Sequence, residues 1–178
     1  LKISALGFGC GAVGGIMVRG DPADQERLVA RALAVGVNYF DTAVLYGDGE
    51  SEKNLGRILQ KLRPADAIVG TKVRIPPDAF GRIAEAIATS LEGSLARLHL
   101  GEVDILHLHN PITLTGGGSA LSVRQVLDDV VPAFQRLRLQ GKIRFLGISA
   151  IGDTAALHQV IDADVLDSAQ VVYNMLNP

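Results

Sequence analysis

The sequence holds one cysteine, Cys10, so no disulfide can close within the chain and a bridge-stapled secreted scaffold is excluded. A reducing, cytoplasmic setting fits that count. No uninterrupted apolar run approaches the ~20 residues that cross a bilayer, which argues against a membrane partner. Neither charge is in excess: seventeen Lys and Arg stand against nineteen Asp and Glu, a net charge of -2. No overall positive field therefore exists to draw in nucleic acid or anionic lipid. The chain starts at Leu1 rather than Met, with no basic segment followed by an apolar one, so no targeting signal is visible and the expectation is that something upstream is missing. What is present is the composition of one soluble globular domain over 1–178, with 48% hydrophobic and 20% charged residues, enough for a sizeable core.

Helical and strand-like segments alternate along the whole chain. The first helix is capped by Asp21, has Pro22 in its first turn and Asp24 and Glu26 near its positive end, and stops at Gly36; Leu28, Ala32 and Val35 are its expected apolar face. A second opens at Ser51, carries Leu55, Ile58, Leu59 and Leu62 at helical spacing, and halts before Pro64. The third runs from about Asp78 through Phe80, Ile83, Ile87, Leu91, Leu95 and Leu98. Pro132 splits the fourth into a short helix over Val123 to Val131 and a main one from Pro132 to Gln140. The fifth is capped by Asp153 and is expected to bury Ala156, Leu157, Val160 and Ile161.

Between the helices lie six strand-length apolar runs: Ala5 to Cys10, Asn38 to Thr42, Ile68 to Lys72, Val103 to His109, Phe145 to Ser149 and Ala169 to Tyr173. Strands alternating with helices imply right-handed βαβ units and a parallel sheet, which leaves doubly wound sheets and barrels. Three middle runs end in a reactive side chain at the C-terminal edge: Asp41, Lys72 and His109. That placement favours an α/β fold of the (β/α)8 TIM-barrel type, whose strand ends converge on one mouth; an open sheet would spread them along an edge.

Asp41, Tyr46, Lys72 and His109 together suit proton donation to a carbonyl. A phenol is a poor acid at neutral pH until its phenolate is stabilised. Lys72 is the available cation, and Asp41 is placed to pair with it and offset its desolvation. His109 is placed to hydrogen-bond the substrate oxygen, leaving the carbonyl carbon open to hydride from a nicotinamide. Taken singly, each has a plainer reading: a turn pair at Asp41-Thr42, an exposed loop at Tyr46-Gly47, a solvated charge at Lys72, a strand end at His109. Their shared position in successive units is what favours chemistry. His107 points the same way as His109 and reads as a hydrogen-bonded histidine inside the barrel.

The stretch Gly36 to Gly47, continuing to Ser51-Glu52 and Leu55-Gly56, resembles the aldo-keto reductase signature around the catalytic aspartate and tyrosine. Gly70-Thr71-Lys72 resembles the family's third strand with its lysine, Val103 to Pro111 its fourth, Gly141 to Ser149 its fifth and Gln170 to Asn174 its sixth. Spacing from Asp104 and Pro111 puts the family's histidine at His109. The resemblance implies an NADP(H)-dependent oxidoreductase, with NAD(H) the alternative, that interconverts aldehydes or ketones and alcohols. Asp41, Tyr46, Lys72 and His109 are then catalytic, with Ser149 and Gln170 on the nicotinamide carboxamide. Gly9, Cys10, Gly11 and Asp41 are further cofactor contacts. The implied partner is a small carbonyl or alcohol. Ala150 departs from the asparagine or arginine usual after that serine, and His107 from an apolar residue.

Gly9 to Gly14 also satisfies G-x-G-x-x-G, yet its last glycine opens no helix, since Ile16 to Gly20 intervene before Asp21-Pro22; a dinucleotide fold of the doubly wound kind is rejected. Gly116-Gly117-Gly118 reads as a flexible substrate-side loop. The sequence stops at Asn177-Pro178, just after the sixth strand, where a closed barrel needs eight; the expectation is a partial chain of about six βα units. Rival functions are a Schiff-base lyase using Lys72 and a non-enzymatic sensor resembling channel accessory subunits.

Overall fold

The computed structural model describes residues 1–11 and 15–176. Ala12, Val13 and Gly14 of the glycine motif, and Asn177-Pro178, lie outside them. In chain order the elements are β1 (Gly7–Gly9), α1 (Ile16–Arg19), α2 (Pro22–Ala34), β2 (Tyr39–Asp41), α3 (Glu50–Leu62), β3 (Ile68–Val73), a 3-10 turn (Pro77–Ala79) and α4 (Ile83–Leu98). Then come β4 (Val103–Leu108), β5 (Ile112–Thr113), β6 (Leu121–Ser122), α5 (Val123–Gln125), a π-helical segment (Val126–Val130), α6 (Val131–Leu139), β7 (Ile143–Ser149), α7 (Thr154–Asp162) and β8 (Ser168–Gln170). They form two compact units, Leu1–Lys72 with Leu91–Ile105, and Val73–Ser90 with the chain from Leu106 onward.

In the first unit the strand order is β1-β2-β3-β4, with β1 parallel to β2 and β2 to β3; Gly7 faces Tyr39, and Asp41 lies between Gly9 and Gly70. Asp104 locks β3 to β4 by accepting from the Val69 amide at 2.8 Å. Asp21 caps α2 as expected, its carboxylate accepting from Ala23 N. The buried face of α2 differs from the expected one: Gln25, Val29 and Ala32 are inside, while Leu28 and Val35 are 40% and 57% exposed. Gln25 sets this rotation. Its amide donates to the carbonyls of Ile16, the first residue of α1, and of Gly20, just after α1, and accepts from Arg57. The one-turn helix α1 was itself not expected from the sequence. Helix α3 buries Leu55, Ile58 and Leu59 as its spacing requires.

In the second unit β4, β7 and β8 are neighbours in that order, and β7 runs parallel to β8 with Ser149 opposite Gln170. The expected third helix is interrupted: a 3-10 turn precedes Gly81, and the α-helix proper starts at Ile83. The expected break at Pro132 is absent. Val123 to Leu139 is one helical run in which the Val131 amide reaches back five residues to Val126 O, a wide turn that accommodates the proline ring without ending the helix. Helix α7 buries Ala156 and Val160, while Ile161 is 44% exposed. The glycine loop is not open chain. Gly117 and Ala120 exchange both backbone hydrogen bonds, Gly116 N donates to Thr113 Oγ1, and β5 pairs with β6 on its far side. Gly116, Gly117 and Gly118 all have positive φ, so this turn is available to glycine and strained for other residues. The last strand is shorter than its apolar run: pairing ends at Gln170, and Val171, Val172 and Tyr173 are exposed.

Candidate active site

Asp41 ends β2, and the chain then turns through Thr42 to Tyr46 before α3. Lys72 lies one strand over, near the end of β3, where every residue is buried. Its side chain is 1% exposed, an environment an ammonium occupies only with partners. It has four. Nζ donates to Asp41 Oδ1 and Oδ2 at 2.8 and 2.7 Å, to Thr42 O at 3.0 Å and to the Tyr46 hydroxyl at 3.0 Å, and it lies 4.8 Å from the centre of the Tyr46 ring. Three of the four expected catalytic residues are thus within one hydrogen-bonded cluster of the first unit. The plainer reading of Lys72 as a solvated charge is ruled out by this burial.

A hydroxyl relay fixes the turn that carries Tyr46. Ser51 Oγ donates to Cys10 O at 2.8 Å, so the 2.8 Å contact between Thr42 Oγ1 and Ser51 Oγ has Thr42 as its donor. Thr42 N is held by Gly70 O, and Thr42 O faces the Lys72 ammonium. Beside it, the wholly buried Glu52 accepts from Thr71 Oγ1 at 2.6 Å and from Arg97 Nε at 2.7 Å, tying α3 and α4 to the residue before Lys72. Ser51 and Glu52 belong to the motif that carries the resemblance, and sequence reasoning gave neither a role. A polar residue inside a strongly amphipathic helix stripe is the signal that marks them.

Of the remaining candidates in this unit, Cys10 is fully buried: its amide donates to Asp41 O, its carbonyl takes the Ser51 hydrogen, and Sγ turns to Phe8 O at 3.8 Å. Burial first, then the Asp41 charge, pushes its thiol up to about 12, against a smaller lowering by Lys72. Gly9 is exposed, with nothing within 4 Å of where a Cβ would stand, and Gly11 lies against the Tyr46 ring, a Cβ there meeting it at 3.7 Å.

His109 follows β4 in the second unit, half-buried, its amide donating to Val73 O at 2.7 Å. The next residue, Asn110, is wholly buried and acts as a strand mimic. Its side chain accepts from Ile75 N and donates to Ile75 O, both at 2.8 Å, and donates also to Ser119 O. His107 is buried and bonded as expected, Nε2 lying 3.2 Å from Ser168 Oγ. Ser149 ends β7. Its hydroxyl is buried and has no hydrogen-bond partner among the described residues, which is costly unless a ligand supplies one. Gln170, its register partner, is exposed and uses its carbonyl to hold Ala150 N at 2.8 Å.

A model of the aldo/keto reductase family matches residues 5–178. The chain belongs to that family. L-galactose dehydrogenase of Arabidopsis thaliana is 38% identical over 153 residues, 85% of this chain and 46% of the relative. D-threo-aldose 1-dehydrogenase of a Pseudomonas species is 29% identical, over 93% of this chain and 55% of the relative. An aldo/keto reductase of Klebsiella pneumoniae, solved with NADP and acetate, superposes with a TM-score of 0.73 at 27% identity, over 96% of this chain and 55% of that one. The chain spans about half the length of the curated relatives it matches. The expected fold class therefore holds: an incomplete (β/α)8 barrel of the aldo/keto reductase type, six strands of which are present.

Proposed function

We propose that the protein carrying this chain is an NADP-dependent aldo/keto reductase that interconverts a carbonyl and an alcohol, with Asp41, Tyr46, Lys72 and His109 as its catalytic residues. The observation that carries the reading is the buried Lys72 ammonium, clamped by both oxygens of Asp41 and donating to the Tyr46 hydroxyl. In the reducing direction Tyr46 gives its proton to the substrate oxygen as negative charge builds there. The phenolate left behind faces the ammonium, in a cluster already assembled, so little reorganisation accompanies the transfer. Asp41 keeps the ammonium in place. His109 is assigned the hydrogen bond to the substrate oxygen, on the resemblance and its position at a strand end.

The residues at the ends of β7 and β8 fit a nicotinamide. The unpaired, buried Ser149 hydroxyl needs a polar partner such as a carboxamide, and Gln170 beside it is exposed and free to orient one. Gly9 leaves open space for a ribose at the end of β1, with Cys10 as the buried anchor between it and Gly11. Bound there, NADP(H) supplies the hydride equivalent; the neighbour solved with NADP supports that cofactor over NAD. The relatives named for L-galactose and a D-threo-aldose put sugars first among candidate substrates. A cytoplasmic location is part of the reading, on the strength of the free Cys10 thiol.

The rival use of Lys72 as a Schiff-base nucleophile fits poorly, because an ammonium donating to a carboxylate and a carbonyl has no lone pair to offer. The test is carbonyl-dependent loss of 340 nm absorbance by the whole protein, over sugars and simple aldehydes, with each cofactor. Tyr46→Phe is expected to cut turnover by roughly 10² to 10⁴ while leaving cofactor affinity within about two-fold. Turnover unchanged in that variant, or a borohydride-trapped adduct on Lys72, overturns the assignment.

A further inference from the structure

Tyr39 stands two residues before Asp41 on β2, so the two side chains leave the strand on the same face. The neighbouring strands make room for it by having glycines. A Cβ on Gly7 would meet the ring at 3.0 Å, and one on Gly70 would come within 2.5 Å of the phenol oxygen. The ring thus lies in a slot between two glycine backbones, aimed up the strand. Its hydroxyl donates to Asp41 Oδ1 at 3.3 Å, the same oxygen that receives the Lys72 ammonium at 2.8 Å. Burial, and then the Asp41 charge, hold this phenol far above the ordinary range, so it stays a neutral donor throughout working pH.

We infer that Tyr39 is a positioning residue for the proposed reaction: by donating to Asp41 it takes up part of that carboxylate's charge and leaves more of the Lys72 ammonium's field for the Tyr46 oxygen. The inference rests on the reductase reading. An ammonium bound by a bare carboxylate is largely neutralised; a carboxylate already receiving a second hydrogen bond attracts it less. Among the described residues of this unit, the titratable groups around Asp41 are Tyr39 on its own strand, Lys72 on β3, Tyr46 on the following turn and Cys10 after β1. Cys10 stays uncharged, so it supplies no compensating charge when the Tyr39 hydroxyl is removed.

Tyr39→Phe keeps the ring in its slot and deletes only the hydroxyl. In the whole protein, kcat is expected to fall roughly five- to thirty-fold with KM for the carbonyl within about two-fold. The pH profile of kcat is expected to shift in the variant, because the charge balance around the Asp41 carboxylate that holds Lys72 changes. A purely structural role for Tyr39 leaves that profile in place, and coincident profiles overturn the inference.

A second arm needs no turnover. With tyrosines labelled at Cζ, the carbon resonance that Tyr39→Phe removes is expected to keep its neutral-phenol position up to about pH 11, and to titrate earlier in Asp41→Asn. Titration of that resonance near 10 in the unmodified protein also overturns the inference. If the protein reduces no carbonyl at all, the reductase reading fails, while the resonance still reports whether Tyr39 and Asp41 are coupled.

Discussion

Glu52→Gln isolates what the buried ion pair of α3 and α4 contributes. Glu52 is inaccessible, and both its oxygens are committed, one to Thr71 Oγ1 at 2.6 Å and one to Arg97 Nε at 2.7 Å. The glutamine keeps the volume but turns one acceptor into a donor, so either the threonine hydroxyl or the guanidinium is left facing an N–H. Removing one partner of a buried pair costs about 3–5 kcal/mol when the survivor is stranded. Arg97 is not fully stranded: its side chain is 24% exposed and it retains Ser94 Oγ at 3.2 Å. Water and that hydroxyl relieve part of the loss, which brings the expected destabilisation to about 2–3 kcal/mol. With a urea m value of about 2 kcal/mol/M, the unfolding midpoint falls by about 1–1.5 M. The double variant Glu52→Gln/Arg97→Gln should lose at least about 1 kcal/mol less than the sum of the singles. A Glu52→Gln midpoint within about 0.3 M of the unmodified protein refutes the reasoning. It would mean that the pair does no more than offset its own desolvation.

Cys10 should resist alkylation in the folded protein at pH 8 to 9 and react only after denaturation, since burial keeps it a neutral thiol up to about 12; mass spectrometry after a timed iodoacetamide pulse reads this directly. The sign on stability follows. Between the ordinary thiol value of 9.0 and about 12 the unfolded chain releases this proton and the folded one keeps it, so stability falls as pH rises through that window. Gly152→Ala should cost more than about 1 kcal/mol in urea unfolding, because φ there is 133° and a Cβ would collide with Ile112 O. A neutral result would mean that the chain from β7 to α7 is not pinned to β5 through Ile112.

The elements were legible where one physical signal dominates. Helix α3 follows from Leu55, Ile58 and Leu59 at helical spacing, and α2 from Asp21 and Pro22. What sequence did not yield is burial of polar groups, because hydropathy takes no account of reciprocal bonding. Gln25 reads as a surface residue, yet it is buried and ties α2 to Ile16 O and Gly20 O at either end of α1. Glu52 and Thr71 satisfy one another inside, and neither is apolar. Pro132 reads as a break, since the five-residue hydrogen bond that rescues the helix depends on backbone geometry that residue type does not encode. At the site, the strand-end logic singles out Asp41 and Lys72, which the structure pairs at 2.7 and 2.8 Å, and it assigns His109 by position alone. The alternation that puts His107 on the face of His109 also puts Tyr39 on the face of Asp41, and only the first of these was drawn from the sequence.

One construction recurs in both units and accounts for where the polar groups can sit. In the first, Gly7 and Gly70 flank Tyr39 and let its phenol rise to the carboxylate above it. In the second, Gly147 on β7 lacks a side chain where His107 of β4 meets Ser168 of β8; a Cβ there would stand 2.8 Å from the imidazole and would overlap the Ser168 hydroxyl. Ser149 lies two residues beyond Gly147, hence on the same face and one level up. In each case a glycine at the lower level admits a large polar ring from the neighbouring strand, and that ring is bonded before the strand end is reached. Side chains at these strand ends therefore stand above a packed, hydrogen-bonded level. Lys72 remains charged at 1% exposure because its own ammonium is met by Asp41, Thr42 O and Tyr46 directly above that level.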